Sequence, residues 1–106
     1  MSERWEFVCE EKELEDSRPI RVEVAGLRLA VVRIDESVYG VDDRCSHQNY
    51  ALSEGEVDPE ELTIECWKHG SRFSLLTGHP TCLPATKPVR VYELKTQDGA
   101  VWVKLP

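Results

Sequence analysis

Asp43-Arg44-Cys45-Ser46-His47-Gln48-Asn49-Tyr50 and Cys66-Trp67-Lys68-His69-Gly70-Ser71 are the two stretches on which the reading of this chain turns. Neither follows the alternation of apolar and polar residues that marks a half-buried strand. Each offers one thiol and one imidazole, in the order Cys45-x-His47, eighteen intervening residues, Cys66-x-x-His69. Outside them the only other soft-metal donors are Cys9, His79 and Cys82.

Working outward, the flanking sequence reads as strands. Ile20-Arg21-Val22-Glu23-Val24 and Val101-Trp102-Val103-Lys104-Leu105 have period two. Leu27 to Ile34 and Val38 to Val41 are β-branched and apolar around Asp35-Glu36-Ser37, a predicted hairpin preceded by a turn at Ala25-Gly26. Trp5 to Cys9 is strand-like as well. Val89 to Lys95 and Ala100 to Leu105 flank Thr96-Gln97-Asp98-Gly99, whose Asp-Gly pair supplies the positive φ angles of a tight hairpin. Helical spacing is confined to one turn at Glu11 to Leu14, with a loop or short turn at Leu52 to Gly55. The expected fold is all-β, an antiparallel β-sandwich or partly open barrel.

At 106 residues the chain is the size of one domain, taken here as residues 1–106. There is no repeat, linker or low-complexity tract. Met1 to Glu6 has no apolar leader core, and no stretch approaches the roughly 18 apolar residues of a membrane span. A cytoplasmic protein with no membrane partner is expected, and in that reducing compartment the four cysteines point to metal ligation rather than disulfides. Thirteen basic against twenty acidic side chains give a net charge of -7, which disfavours nucleic acid and favours a basic protein surface as partner. The acid is densest at Glu10 to Asp16 and Asp58 to Glu61.

Two thiolates and two imidazoles from two loops suit a binuclear iron-sulfur centre. Two ferric ions, two sulfides and two thiolates sum to zero charge, whereas an all-cysteine cluster is dianionic before it is reduced. Adding an electron to the neutral centre costs less, and His-ligated centres accordingly span about -150 to +300 mV against about -400 mV for plant-type ferredoxins. A structural zinc module takes the same four donors, but zinc sites usually pair like ligands, two cysteines and then two histidines. Cys9 is read as a small buried apolar residue, Cys82 as a structural thiol and His79 as a surface histidine. Trp5, Tyr39, Tyr92 and Trp102 fall in strand patterns and are expected to be core or sheet-face residues.

The sequence resembles the Rieske-type ferredoxins of bacterial non-haem oxygenase systems over nearly its whole length. Cys45-Ser46-His47, Cys66-Trp67-Lys68-His69-Gly70-Ser71-Arg72-Phe73, Leu76-Thr77-Gly78 and Leu83-Pro84-Ala85-Thr86-Lys87-Pro88-Val89 carry the likeness. The resemblance implies a Rieske-like fold whose cluster-binding part covers about 43–88. It implies one [2Fe-2S] cluster, with Cys45 and Cys66 on the inner iron and His47 and His69 on the outer one. Pro84 would belong to a loop covering the cluster. Trp67 replaces a proline common among relatives and is expected to shield the cluster. Ser71 matches a serine whose hydroxyl donates to a cluster sulfur, while Phe73 stands where high-potential members have a donating tyrosine. Those members also carry a disulfide between the loops, which Gln48, Asn49, Tyr50 and Lys68 do not allow here. A potential toward the low end of the Rieske range is expected.

By the same resemblance the chain is a monomeric one-electron carrier between a reductase and a terminal oxygenase, and not itself an enzyme. Three histidines in all cannot furnish both the cluster and a mononuclear iron held by two histidines and a carboxylate. The scattered glycines form no dinucleotide fingerprint. Two other roles use the same site, a redox sensor or an accessory in cluster assembly. The small subunit of a nitrite reductase, similar in fold, often lacks the ligands that are complete here.

Overall fold

The computed structural model describes residues 4–44, 50–67, 70–81 and 85–105. Among these residues ten strands run β1 Trp5–Glu10, β2 Ile20–Val24, β3 Leu27–Ile34, β4 Ser37–Asp42, β5 Val57–Asp58, β6 Thr63–Glu65, β7 Arg72–Ser74, β8 Val91–Tyr92, β9 Leu94–Gln97 and β10 Ala100–Lys104. They form three open antiparallel sheets in the orders β1-β10-β9, β2-β3-β4-β8 and β5-β6-β7. The expected all-β, open architecture is what the chain adopts. The two short helical segments are single 3-10 turns at Glu11–Glu13 and Leu52–Glu54.

Turn chemistry sets the hairpins. Ala25 and Gly26 (φ 50° and 79°) join β2 to β3, and Asp98 and Gly99 (φ 54° and 76°) join β9 to β10, the paired positive angles that match strand twist in a two-residue loop. Asp35 at φ 56° starts the β3–β4 turn, and Ser37, expected in that turn, already pairs with Ile34.

β3 explains the layering. Its run of apolar residues is buried on both faces, the reason it reads as continuous rather than alternating. Leu29 and Val31 pack with Val8, Cys9, Leu14, Val101 and Val103. Ala30, Val32 and Ile34 pack with Val41, Leu52, Ile64, Cys66, Phe73, Leu75, Ala85 and Val89. The middle sheet therefore holds the terminal sheet on one side and the segment from Leu52 to Val89 on the other.

One expectation needs correction. Val89 to Lys95 is not a single strand, because β8 pairs with β4 while β9 pairs with β10. The chain changes sheets at Glu93, whose carbonyl accepts from Lys104 N–H at 2.9 Å. Gly40 makes room for the crossing, since a Cβ there would meet Leu94 Cδ1 at 2.9 Å.

Candidate metal centre

The first candidate segment leaves the end of β4. Asp43 N–H donates to the Arg28 carbonyl (3.0 Å), its own carbonyl accepts from Leu52 N–H (2.5 Å), and its Oδ1 accepts from Ser53 N–H (2.7 Å). With Arg44 bridged to Ala51, these bonds close the base of a loop that returns at Tyr50. Cys45 and His47, between Arg44 and Tyr50 in the sequence, lie outside the described residues.

The second segment is the turn of the β6–β7 hairpin. Below the Glu65–Arg72 pair, Cys66 N–H donates to the Ser71 carbonyl (2.7 Å), and Gly70 N–H donates to the Cys66 carbonyl (3.0 Å). Gly70 sits at φ 74°, the left-handed region a residue without Cβ enters freely. Cys66 is buried at the base of this turn, and Trp67 emerges from it 49% exposed. Lys68 and His69 lie outside the described residues, as do Cys82, Leu83 and Pro84 of the third segment.

Two contacts draw the segments together. The Tyr50 and Trp67 rings meet edge to face, with centroids 5.3 Å apart and planes at 77°, joining the first segment to the second. Ser71 is fully buried, and its Oγ accepts from Ala85 N–H at 3.1 Å, joining the second segment to the third just after Pro84. Because that N–H occupies a lone pair of Oγ, the hydroxyl keeps its own proton to donate. This fits a cluster sulfur acceptor, whose reduced state such a donor stabilises. Phe73, fully buried in the core with Cys66, offers no donor. The residues present fit the implied iron-sulfur group.

Of the expected site residues, the structure thus places Cys66, Trp67, Ser71 and Phe73 around one hairpin. Trp67 is half-exposed, braced at its edge by Tyr50. Sequence reasoning gave no role to Asp43, although an aspartate heading a loop that ends at Leu52-Ser53-Glu54 has the makings of a side-chain cap. Tyr50, which closes the first segment, carries no signal in the sequence of its contact with Trp67. Cys9 is buried in the terminal core, and burial together with Glu13 pushes its thiol up to about 11. His79 is exposed in the loop after β7. Among the described residues no group of three or more His, Cys, Asp or Glu is arranged to hold a metal ion, and of the four expected ligands only Cys66 lies among them.

Comparison with known proteins agrees with this arrangement. The family model for the Rieske [2Fe-2S] domain matches residues 4–93. A 3-phenylpropionate/cinnamic acid dioxygenase ferredoxin subunit from Photorhabdus laumondii is 39% identical over 97 residues, covering 92% of this chain and 90% of that protein. Among solved structures, the ferredoxin of carbazole 1,9a-dioxygenase from Nocardioides aromaticivorans matches with a TM-score of 0.90 at 35% identity, over 93% of this chain and 95% of the other. A ferredoxin in complex with the oxygenase of carbazole 1,9a-dioxygenase matches with a TM-score of 0.86 at 36% identity, over 94% and 92% of the two chains. These relatives are electron-transfer subunits, and a one-electron carrier is the function their likeness and the fold support, rather than a catalyst, sensor or zinc module. On this evidence the chain belongs to the Rieske [2Fe-2S] domain family and carries one cluster of that type.

Proposed function

We propose that the chain carries single electrons from a reductase to a terminal non-haem oxygenase, using a cluster held by Cys45, His47, Cys66 and His69. The observation that supports this most directly is the meeting of three segments at one hairpin, through Tyr50 against Trp67 and Ser71 against Ala85. When bound, the cluster supplies a reversible one-electron step at a potential raised by its two neutral ligands. The chain's own residues do the rest. The thiol of Cys66 enters from the buried side, Trp67 and Tyr50 brace the two ligand loops, Ser71 donates its proton inward, and Phe73 withholds a second donor. Pro84, by the family resemblance, would belong to the loop that covers the site.

A single domain acting as a monomer in the cytoplasm suits a diffusing carrier. No helix among the described residues is long and apolar enough to cross a membrane. The ferredoxin–oxygenase complexes of carbazole 1,9a-dioxygenase give the partner class a precedent in relatives. A nitrite reductase small subunit at 23% identity shares the fold alone.

Anaerobically purified protein should contain iron and acid-labile sulfide and give the paramagnetic resonance signal of a His-ligated centre after dithionite. Its midpoint should fall in the lower part of the roughly -150 to +300 mV range. Reduced protein should then be reoxidised on adding an oxygenase of the same host. Iron with a different signal would reject the ligand set, and failure to donate to any such oxygenase would reject the carrier role.

A further inference from the structure

The terminal sheet β1-β10-β9 has two faces of opposite character. Val101 and Val103 turn inward with Val8 and Cys9, and the register slip between Phe7 and Cys9 is a β-bulge that lets Val8 and Cys9 both reach that core. The alternate residues point outward. Phe7 pairs with Trp102, Trp102 with Lys95 and Trp5 with Lys104, so two of the chain's three tryptophans and one of its two phenylalanines share the outer face. Phe7 meets Trp102 edge to face with ring centroids 5.8 Å apart, and the Lys95 amine stands 4.2 Å from the centre of the Trp5 ring. Large rings gathered on a solvent-facing side add nothing to the core; such patches mark contact surfaces. The polar groups beside them are donors. Among the described residues Lys95 has no carboxylate partner, and Trp102 Nε1 is shielded from solvent with no acceptor. The acid on this face lies at its far end, where Glu10, opposite Ala100, is engaged by Lys12 at 3.3 Å.

We propose that the outer face of this sheet, centred on Phe7, Trp102 and Lys95, is a docking surface for an acidic protein partner, an apolar patch bordered by carboxylates on one of the chain's redox partners. The inference rests on the carrier reading for the identity of those partners. Apolar groups of the partner cover the rings, and a carboxylate drawn to Lys95 is the acceptor that Trp102 Nε1 lacks. Charge complementarity selects this occupant. A second copy of the chain would set Lys95 and Lys104 against the same cations, and a flat anionic lipid surface would also meet the acidic run from Glu10 to Asp16 that leaves the end of β1. A shaped protein surface avoids both, and the net charge of -7 repels it from the rest of the molecule. The middle sheet stands between this face and the hairpin of Cys66, so a partner held here leaves the metal centre open.

Calorimetric titration of cluster-loaded protein with the reductase and with the oxygenase of the same host gives a Kd for each. Lys95→Glu and Phe7→Ser should each raise the Kd for one of the two about tenfold, with the midpoint and visible spectrum at parent values. Arg18→Glu changes the net charge as much as Lys95→Glu does, from a side chain paired with Glu15 outside this face, and should bind as the parent does. Parent affinities in both Lys95→Glu and Phe7→Ser would overturn the proposal, as would equal weakening in Arg18→Glu, which marks a general charge effect. Sedimentation of the parent as a dimer that Phe7→Ser dissolves would give the face to a second copy and overturn it. So would flotation of the parent with phosphatidylglycerol vesicles that both variants abolish. Parent protein that binds neither redox partner would refute the carrier reading, and the occupant named here with it.

Discussion

At Ser71 one hydroxyl serves two purposes. It accepts from Ala85 N–H inside the core and retains a proton for the metal centre. Ser71→Ala should therefore cost about 1–3 kcal/mol, because the buried Ala85 N–H loses its acceptor. It should also lower the midpoint by roughly 40 mV, the one-electron equivalent of about 1 kcal/mol of lost donation. Denaturant unfolding and potentiometric titration check the two parts separately, and a midpoint equal to the parent's would show that the hydroxyl does not reach the cluster. Cys9 gives a pH signature of a different kind. Its thiol is raised to about 11 from 9.0 by burial and by Glu13, so the unfolded chain loses this proton first as pH rises. Stability from this source is intact below about pH 9 and is lost between about 9 and 11, up to roughly 3 kcal/mol in all. Cys9→Ala should flatten that part of the stability curve, and an unchanged alkaline slope in the variant would contradict it.

Among the elements, the turn after β7 determines how the third segment is held. Gly78 lies at φ 78°, and a Cβ there would stand 2.0 Å from the Val89 carbonyl oxygen. Its N–H donates to the Ser74 carbonyl, while its own carbonyl accepts from Val89 N–H, both at 2.8 Å. The segment that follows Pro84 is thereby tied back to the hairpin carrying Cys66 and Ser71. Gly78→Ala combines backbone strain with a steric clash, and a loss of about 1–3 kcal/mol is expected. Faster iron loss should accompany it, as the third segment loosens. Thermal unfolding and a chelator assay measure the two, and a variant as stable as the parent would show that the turn can shift without cost.

For the molecule as a whole, charge and layering separate the tasks. The middle sheet isolates the terminal core from the segment that bears the centre, so Cys9 belongs to the scaffold and Cys66 to the working end. A net charge of -7 acts at longer range. If a basic partner surface is steered by it, the second-order rate of electron delivery to that partner should fall steeply as ionic strength rises from about 0.01 to 0.15 M, where the Debye length shrinks from about 30 to 8 Å. Stopped-flow kinetics over that range read this directly, and a flat or rising rate would assign docking to apolar contact at Trp67 instead.

Much of this was legible in the sequence because it depends on neighbours along the chain. Period-two alternation in Ile20 to Val24 and Ala100 to Lys104, the Ala25-Gly26 and Asp98-Gly99 turns, and the paired Cys and His types all lie within a few residues of one another. From these follow the all-β class, the hairpins and the iron-sulfur chemistry. Only the tertiary structure decided the rest. The switch of sheets at Glu93 brings Leu94 over Gly40, the brace at the centre joins Tyr50 to Trp67, the hydroxyl of Ser71 meets Ala85, and Asp43 is buried with one oxygen unpaired. Each depends on atoms brought together from distant parts of the chain or on exclusion from water, and residue type and periodicity record neither.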